Sequence, residues 1–282
     1  MTDLPDPSAA PVAGSTRIAL GVEYDGSAFH GWQAQLDPTL PTVQETLEQA
    51  LAQVAAHAVR VHCAGRTDTG VHGAGQIVHF DTTSIRQLKA WVLGANTALK
   101  RKVVVRWAQE VSSEFHARFS AYSRRYRYTI CNDAVRPAML ANFVTAHQRA
   151  LDADAMHEAG QHLVGELDFT AYRASSCQSK SPMRSVTEIS VRRHGNLVVM
   201  DIEANAFLLH MVRNIVGVLL LVGEGRAAPT WAREVLESRD RRQAAKTAPA
   251  AGLSLLKVRY PARFGLPEST STMQKFPFFL PE

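Results

Sequence analysis

The sequence predicts an α+β fold: two ferredoxin-like βαββαβ halves that join into one extended, mostly antiparallel sheet flanked by helices, with an active-site cleft between the halves. Three observations predict it. Strand-like alternation and helix-like spacing of apolar residues follow the order strand, helix, two strands, helix, strand, and that order occurs twice. With 282 residues, 46% of them hydrophobic and 20% charged, the chain is long enough and apolar enough for a large core. Its longest uninterrupted apolar run, Ile215 to Val222, is far shorter than the roughly 20 residues a membrane span requires.

The elements follow in order. Residues 1–16, acidic and rich in Pro and Ala, lack the basic start and apolar stretch of a signal peptide and read as a disordered tail. The first half covers residues 17–110. "RIALGVEYD" alternates as a strand and ends in an Asp-Gly turn. Thr42 and Glu45 form a capping box before Val43, Leu47, Ala50, Leu51 and Val54, which repeat at helical spacing. "VRVHCAG" and "GQIVHFD" are two strands around a loop, "IRQLKAWVLGANTAL" is a helix and "KVVVRWAQEV" a closing strand. Residues 111–125 connect the halves.

The second half, residues 126–262, repeats the order without repeating the residues. "RYRYTICN" is a strand, "ADAMHEAGQHLVG" a helix, and "SVTEISVRRHGNLVVMDIEAN" a hairpin turning at His194-Gly195-Asn196. Helices over "AFLLHMVRNIVGVLLLVG" and "TWAREVLES" precede the last strand, "GLSLLKVRYP". Residues 263–282 form an extension whose last stretch, "ESTSTMQKFPFFLPE", is a Ser/Thr-rich linker followed by three phenylalanines.

Lys plus Arg number 31 against 26 Asp plus Glu, a formal charge of +5, and most of the basic residues are arginines suited to gripping phosphate. The balance raises the expectation of a nucleic-acid partner. Cys63, Cys131 and Cys177, odd in number and widely spaced, form no disulfide framework and fit a reducing cytoplasm.

"CAGRTDTGVHGAGQIVHF" holds one carboxylate, Asp68, between Arg66 and a run of glycines. Asp68-Thr69-Gly70 spells the aspartic protease triplet, but no second copy supplies the dyad, and an arginine two residues away opposes proton sharing. A phosphate loop fails because Gly-Lys-Ser/Thr is absent and the loop enters a strand. His62, Cys63, His72 and His79 match no common zinc spacing. Asp68 is left as a turn residue or a solitary nucleophile.

The helix "AFLLHMVRNIVGVLLLVG" is apolar nearly all round, yet it places His210, Arg213 and Asn214 on one stripe. A buried guanidinium demands a carboxylate. Asp68 is one candidate, Asp201 and Glu203 are others, and a guanidinium reaching solvent is the alternative. In "HARFSAYSRRYRYTI", arginines 118, 124, 125 and 127 interleave with Phe119, Tyr122, Tyr126 and Tyr128. That pattern suits RNA with splayed bases, or else a strand with an aromatic core face and a solvated arginine face.

With these residues in view, the chain resembles the tRNA pseudouridine synthase A family over about residues 17–260. The resemblance rests on "EYDGSAFHGWQ", "AGRTDTGVHGAGQIVHF", "FHARFSAYSRRYRYTI", "GELDFTAYRASSCQS" and "NAFLLHMVRNIVG", in that order. It implies isomerisation of uridine to pseudouridine at positions 38, 39 and 40 of the tRNA anticodon stem-loop. It also implies Asp68 as nucleophile, Arg213 paired to it, Arg66 in base flipping and Tyr126 stacking on the substrate; Arg118 and Arg124, from the basic and aromatic cluster, are expected as further RNA contacts. A cytoplasmic homodimer that binds tRNA and needs no cofactor and no membrane completes the expectation. Thr69 stands where the family usually has alanine, and "NTALKRKVVV" lacks the family's proline and acid at that junction.

Overall fold

The computed structural model describes residues 14–35, 37, 39–99 and 102–267, so the extension beyond Pro267 and most of the expected N-terminal tail lie outside the described residues. The chain runs β1 (Thr16–Tyr24), α1 (Val43–Ala55), β2 (His62–Cys63), β3 (His72–Thr82), α2 (Leu88–Ala98) and β4 (Val103–Val111). It continues with β5 (Ser123–Asn132), β6 (Thr145–His147), α3 (Ala153–Gln161), β7 (Gly165–Asp168), β8 (Met183–His194), β9 (Leu197–Ala204), α4 (Met211–Gly223), α5 (Trp231–Ser238) and β10 (Leu253–Arg259).

One sheet carries all ten strands in the order β4-β1-β3-β10-β5-β9-β8-β7, with β2 on β3 and β6 on β5. Read in chain order within each half, β4-β1-β3-β2 and β10-β5-β9-β8 are the same arrangement, 4-1-3-2, as the repeated pattern predicts. The seam is parallel and short: Ser254 and Leu255 of β10 pair with His72 and Gly73 of β3. β2 pairs with the other end of the same β3 edge, at Val78 and His79. Only His62 and Cys63 of the expected strand "VRVHCAG" are in the ladder. Val61 gives its N–H to the Glu48 carboxylate, 3.0 Å away, and the chain turns off after Cys63.

Register puts Tyr24, Gly73, Leu255 and Tyr126 on one face of the sheet. Helices α1 and α2 cover this face in the first half, where Leu47, Leu51 and Trp91 pack on Ile18, Leu20, Val22 and Phe80. Helices α3 and α4 cover it in the second, where Met156, Ile215 and Leu219 pack on Tyr128 and Ile130. Thr42 caps α1 as the capping box predicts, its hydroxyl accepting from the Glu45 N–H and donating to the Glu45 carboxylate at 2.6 Å.

On the opposite face the β5 arginines are not solvated. Arg127 forks onto Asp201 with two bonds of 2.7 Å, and Arg125 reaches Glu188 at 3.0 Å and Asp201 at 3.3 Å. Arg259 of β10 holds Glu203 at 2.7 Å. The register sets Arg127 opposite Asp201 and Arg125 opposite Glu203, so cross-strand pairing consumes these charges.

Helix α4 begins at Met211 rather than at Ala206, because Leu208 accepts from the Met211 N–H and Leu209 from the Ala174 N–H in a turn that precedes it. Asn214 of the expected stripe faces inward. It is fully buried, donates to the Tyr172 carbonyl at 2.8 Å and accepts from Arg241 and Thr247. Two short strands, β6 and β7, have too few residues to show alternation and were absent from the sequence reading.

Beside β2, the rings of His62 and His79 stack at 5.0 Å rather than converge on a common point, and His116 meets His79 edge-on at 4.6 Å. Burial is the first cause that lowers all three imidazoles from their ordinary value of 6.5, His116 to about 4 and His79 to about 2. The unfolded chain therefore takes up protons near pH 6.5 that the folded chain refuses, so this contribution to stability is complete above that pH and is lost as pH falls below it. The melting temperature should fall between about pH 7 and pH 5, before most carboxylates titrate. His79→Gln, which keeps an acceptor for the Ala117 N–H, should make that slope shallower. An unchanged slope would remove the imidazole stack as its cause.

Candidate active site

Asp68 lies in the connection from Cys63 to His72, which crosses the gap on the β3 edge between the β2 pairing and the β10 seam. Despite its run of glycines, this loop is a braced turn. Asp68 O accepts from the Val71 N–H at 3.0 Å, and Gly70 has φ +79, as a type II turn requires at its third position. The Asp-Thr-Gly triplet is thus turn chemistry and not half of a protease dyad. Thr67 donates to or accepts from the buried Tyr24 hydroxyl at 2.8 Å, and its carbonyl accepts from the Trp32 N–H at 3.0 Å. Gln76 holds the Gly65 carbonyl at 2.7 Å. Gly73 makes room for a neighbouring ring: a Cβ there would lie 2.4 Å from Tyr24.

The segment before α1 presses on this loop from the other side. Gly31 has φ +89, and a Cβ on it would come within 2.9 Å of the Thr67 carbonyl. Glycine is required twice over at this position, by conformation and by space. His30, Trp32, Gln33 and Gln35 then line one wall of an open cleft of about 380 Å³, with Asp68, Thr69, His210 and Arg213 on the other.

Arg213 reaches Asp68 across the seam, its Nη1 2.9 Å from Oδ2. Its Nε donates to the Ala248 carbonyl at 2.8 Å, and the Arg213 carbonyl accepts from the Ala248 N–H at 3.1 Å. One turn along α4, Gly217 lets the Lys246 backbone approach so closely that a Cβ would meet its carbonyl at 2.1 Å. The segment around residue 246 therefore seats directly on α4 and aims the guanidinium. The partner of Arg213 is Asp68, while Asp201 and Glu203 are engaged on the far face of the sheet. The pair is partly buried, with side-chain exposures of 16% and 21%, so one edge of the carboxylate stays open to the cleft.

His210 is the N-cap of α4, with φ +60, the left-handed region that costs a residue with a side chain about 1–2 kcal/mol. Its Nε2 lies 3.5 Å from the same Asp68 Oδ2. Sequence reasoning placed His210 beside Arg213 but gave it no part in the site, since the helical stripe did not reveal the cap.

Tyr126 is buried under the loop. A Cβ on Gly65 would sit 3.6 Å from its hydroxyl, and its ring packs edge-on against Phe207 at 5.1 Å. Burial raises its hydroxyl well above the usual tyrosine range, so it stays protonated. Arg66 is exposed and makes no hydrogen bond or ion pair with the described residues. Arg118 is also exposed, its guanidinium 5.6 Å from the centre of the Phe119 ring. Arg124, expected as an RNA contact, is instead buried, and its guanidinium donates to the carbonyls of Ala64, Arg118, Ala121 and Asn205. It ties the Asp68 loop to the connection between the halves. The Cys63 thiol below the loop is pushed up to about 12 by burial and stays protonated.

The cleft thus joins an acid and a cation drawn from the two halves of the chain, with the Tyr126 ring buried beneath the loop that carries the acid. The sequence family described as tRNA pseudouridine synthase matches residues 21–120 and 159–261, one stretch carrying Asp68 and the other Arg213. The chain is 54% identical over 266 residues to the tRNA pseudouridine synthase A of Vibrio cholerae, covering 94% of this chain and 98% of that protein. It is 55% identical over 251 residues to that of Aliivibrio fischeri, covering 89% and 95%, and 55% identical over 253 residues to that of Alcanivorax borkumensis, covering 90% and 94%. On this evidence the chain belongs to the tRNA pseudouridine synthase family.

Proposed function

We propose that the chain isomerises uridine to pseudouridine at positions 38, 39 and 40 of the tRNA anticodon stem-loop, with Asp68 as nucleophile and without a cofactor. The observation that carries this reading is the Arg213–Asp68 ion pair in an open cleft, which holds a carboxylate at one edge and leaves the other toward solvent. The balance of the reaction supports it. The bond from uracil N1 to ribose C1′ breaks, the base turns, and a bond from C5 to C1′ forms. C5 loses a proton and N1 gains one, so no oxidant, reductant or second substrate is consumed. A carboxylate that forms a bond and later releases it is sufficient as nucleophile.

A base inside a stem must leave its stack to reach Asp68. In this reading Arg66, exposed two residues before Asp68, fills the vacated position, and the Tyr126 ring packs against the extruded base. Arg118 is a further RNA contact. Assembly as a homodimer and a cytoplasmic location rest on the family resemblance. Among the described residues no helix is long and apolar enough to cross a membrane.

The direct test is release of tritium from tRNA labelled at uracil C5. Asp68→Asn should abolish release while leaving tRNA affinity within about tenfold, because the amide keeps the shape but is a poor nucleophile. Measurable turnover by a pure Asp68→Asn preparation would remove Asp68 from this role. Arg213→Met strips the carboxylate of its charged partner and empties the Ala248 carbonyl, so it should lose activity and about 2 kcal/mol of stability. The double variant with Asp68→Asn should recover stability without activity, as read by thermal melts beside the tritium assay. Because the chain carries a formal charge of +5 and Arg66 and Arg118 are exposed, log affinity for tRNA should fall linearly with log salt, and a flat response would argue against phosphate contacts.

A further inference from the structure

Two cationic or proton-bearing side chains converge on a single oxygen of Asp68. Arg213 Nη1 is 2.9 Å from Oδ2 and His210 Nε2 is 3.5 Å from it. The other oxygen, Oδ1, has no hydrogen-bond partner among the described residues. A free carboxylate rotates about its last bond and exchanges its two oxygens; one held on a single oxygen from two directions does not. Resting on the reading that Asp68 is the nucleophile, we infer that His210 is a positioning residue, which with Arg213 locks Oδ2 so that Oδ1 is the oxygen that reacts.

The backbone at His210 supports this role. Among the described residues only Ala56, His210 and Arg239 are non-glycine residues with positive φ, and His210 alone of them lines the cleft. Glycine or asparagine would adopt this conformation more readily. The surrounding bonds hold it regardless. Leu208 and Met211 on either side are buried, the Leu208 carbonyl accepts from the Met211 N–H, and the His210 carbonyl accepts from the Asn214 N–H at 2.9 Å. A strained residue fixed this firmly, with a ring nitrogen 3.5 Å from the acid, fits a side chain retained for what it contacts. The ring is about one-third exposed, at 34%, and so fills no core position that would otherwise account for it.

Three substitutions separate this role from a structural one. His210→Gly suits the backbone and removes the ring, His210→Asn suits the backbone but is too short to reach Oδ2, and His210→Gln carries a side-chain N–H at nearly the reach of Nε2. In the C5-tritium assay, Gly and Asn should lower kcat at least about tenfold with KM within about threefold, since a positioning contact acts on the reacting state. Gln should restore kcat to within about threefold of the original enzyme. Thermal melts should show Gly and Asn at least as stable as the parent, which excludes misfolding as the cause. Parental kcat in His210→Gly, a rise confined to KM, or Gln as slow as Gly would each overturn the positioning role while the parent enzyme still turns over. A parent enzyme that releases no tritium would overturn the proposed function, and this inference with it.

Discussion

Everything at the site depends on two residue pairs of parallel backbone. Ser254 and Leu255 on β10 join His72 and Gly73 on β3, and this seam makes one ten-stranded sheet of the two halves. Asp68 sits on the loop that feeds into β3 at His72, whereas Arg213 is steered by the segment that feeds into β10 at Leu253. Sliding one strand past the other by a single residue would move the acid relative to its cation by about 3.3 Å, more than the 2.9 Å contact tolerates. Hydrogen bonds across the seam thus position a charge pair whose members are 145 residues apart in sequence.

Much of this was legible in the sequence because it rests on periodicity and on charge conservation within a core. Alternation marked the long strands, the Thr42–Glu45 pair marked the start of α1, and the apolar surroundings of Arg213 required an acid. Where reading from sequence fell short, the deciding contacts were non-local. Arg124 and Arg127 look alike in "RRYRY", yet they project to opposite faces of β5, one into a nest of carbonyls and the other onto Asp201. No property of the segment itself distinguishes an arginine that pairs with a carboxylate from one that satisfies backbone carbonyls.

The same limit applies to the loop before α1. "HGWQ" is part of a quoted motif, but the demand on Gly31 comes from the Thr67 carbonyl, 36 positions later, and becomes visible only when the two loops are placed together. The start of α4 is a related case. Apolar spacing continues smoothly from Phe207 into the helix, so periodicity extends the helix through residues that fold as a turn, and the left-handed cap at His210 leaves no mark on the pattern. The enzyme family was recognisable from motifs whose physical reasons are mostly contacts between motifs.

The brevity of β2 has a consequence for how the two halves relate. In a self-contained four-strand unit the second strand would run the length of β3 and close that edge. Here it stops after His62 and Cys63, and the stretch it vacates is occupied by β10 at one end and by the Asp68 loop in the middle. Completing β2 would give an independent first half at the expense of its neighbour, because both would compete for one row of backbone donors and acceptors. An incomplete unit is therefore what makes the molecule a single body: the rungs that β2 leaves unmade are what free the β3 edge to take β10 as its neighbour.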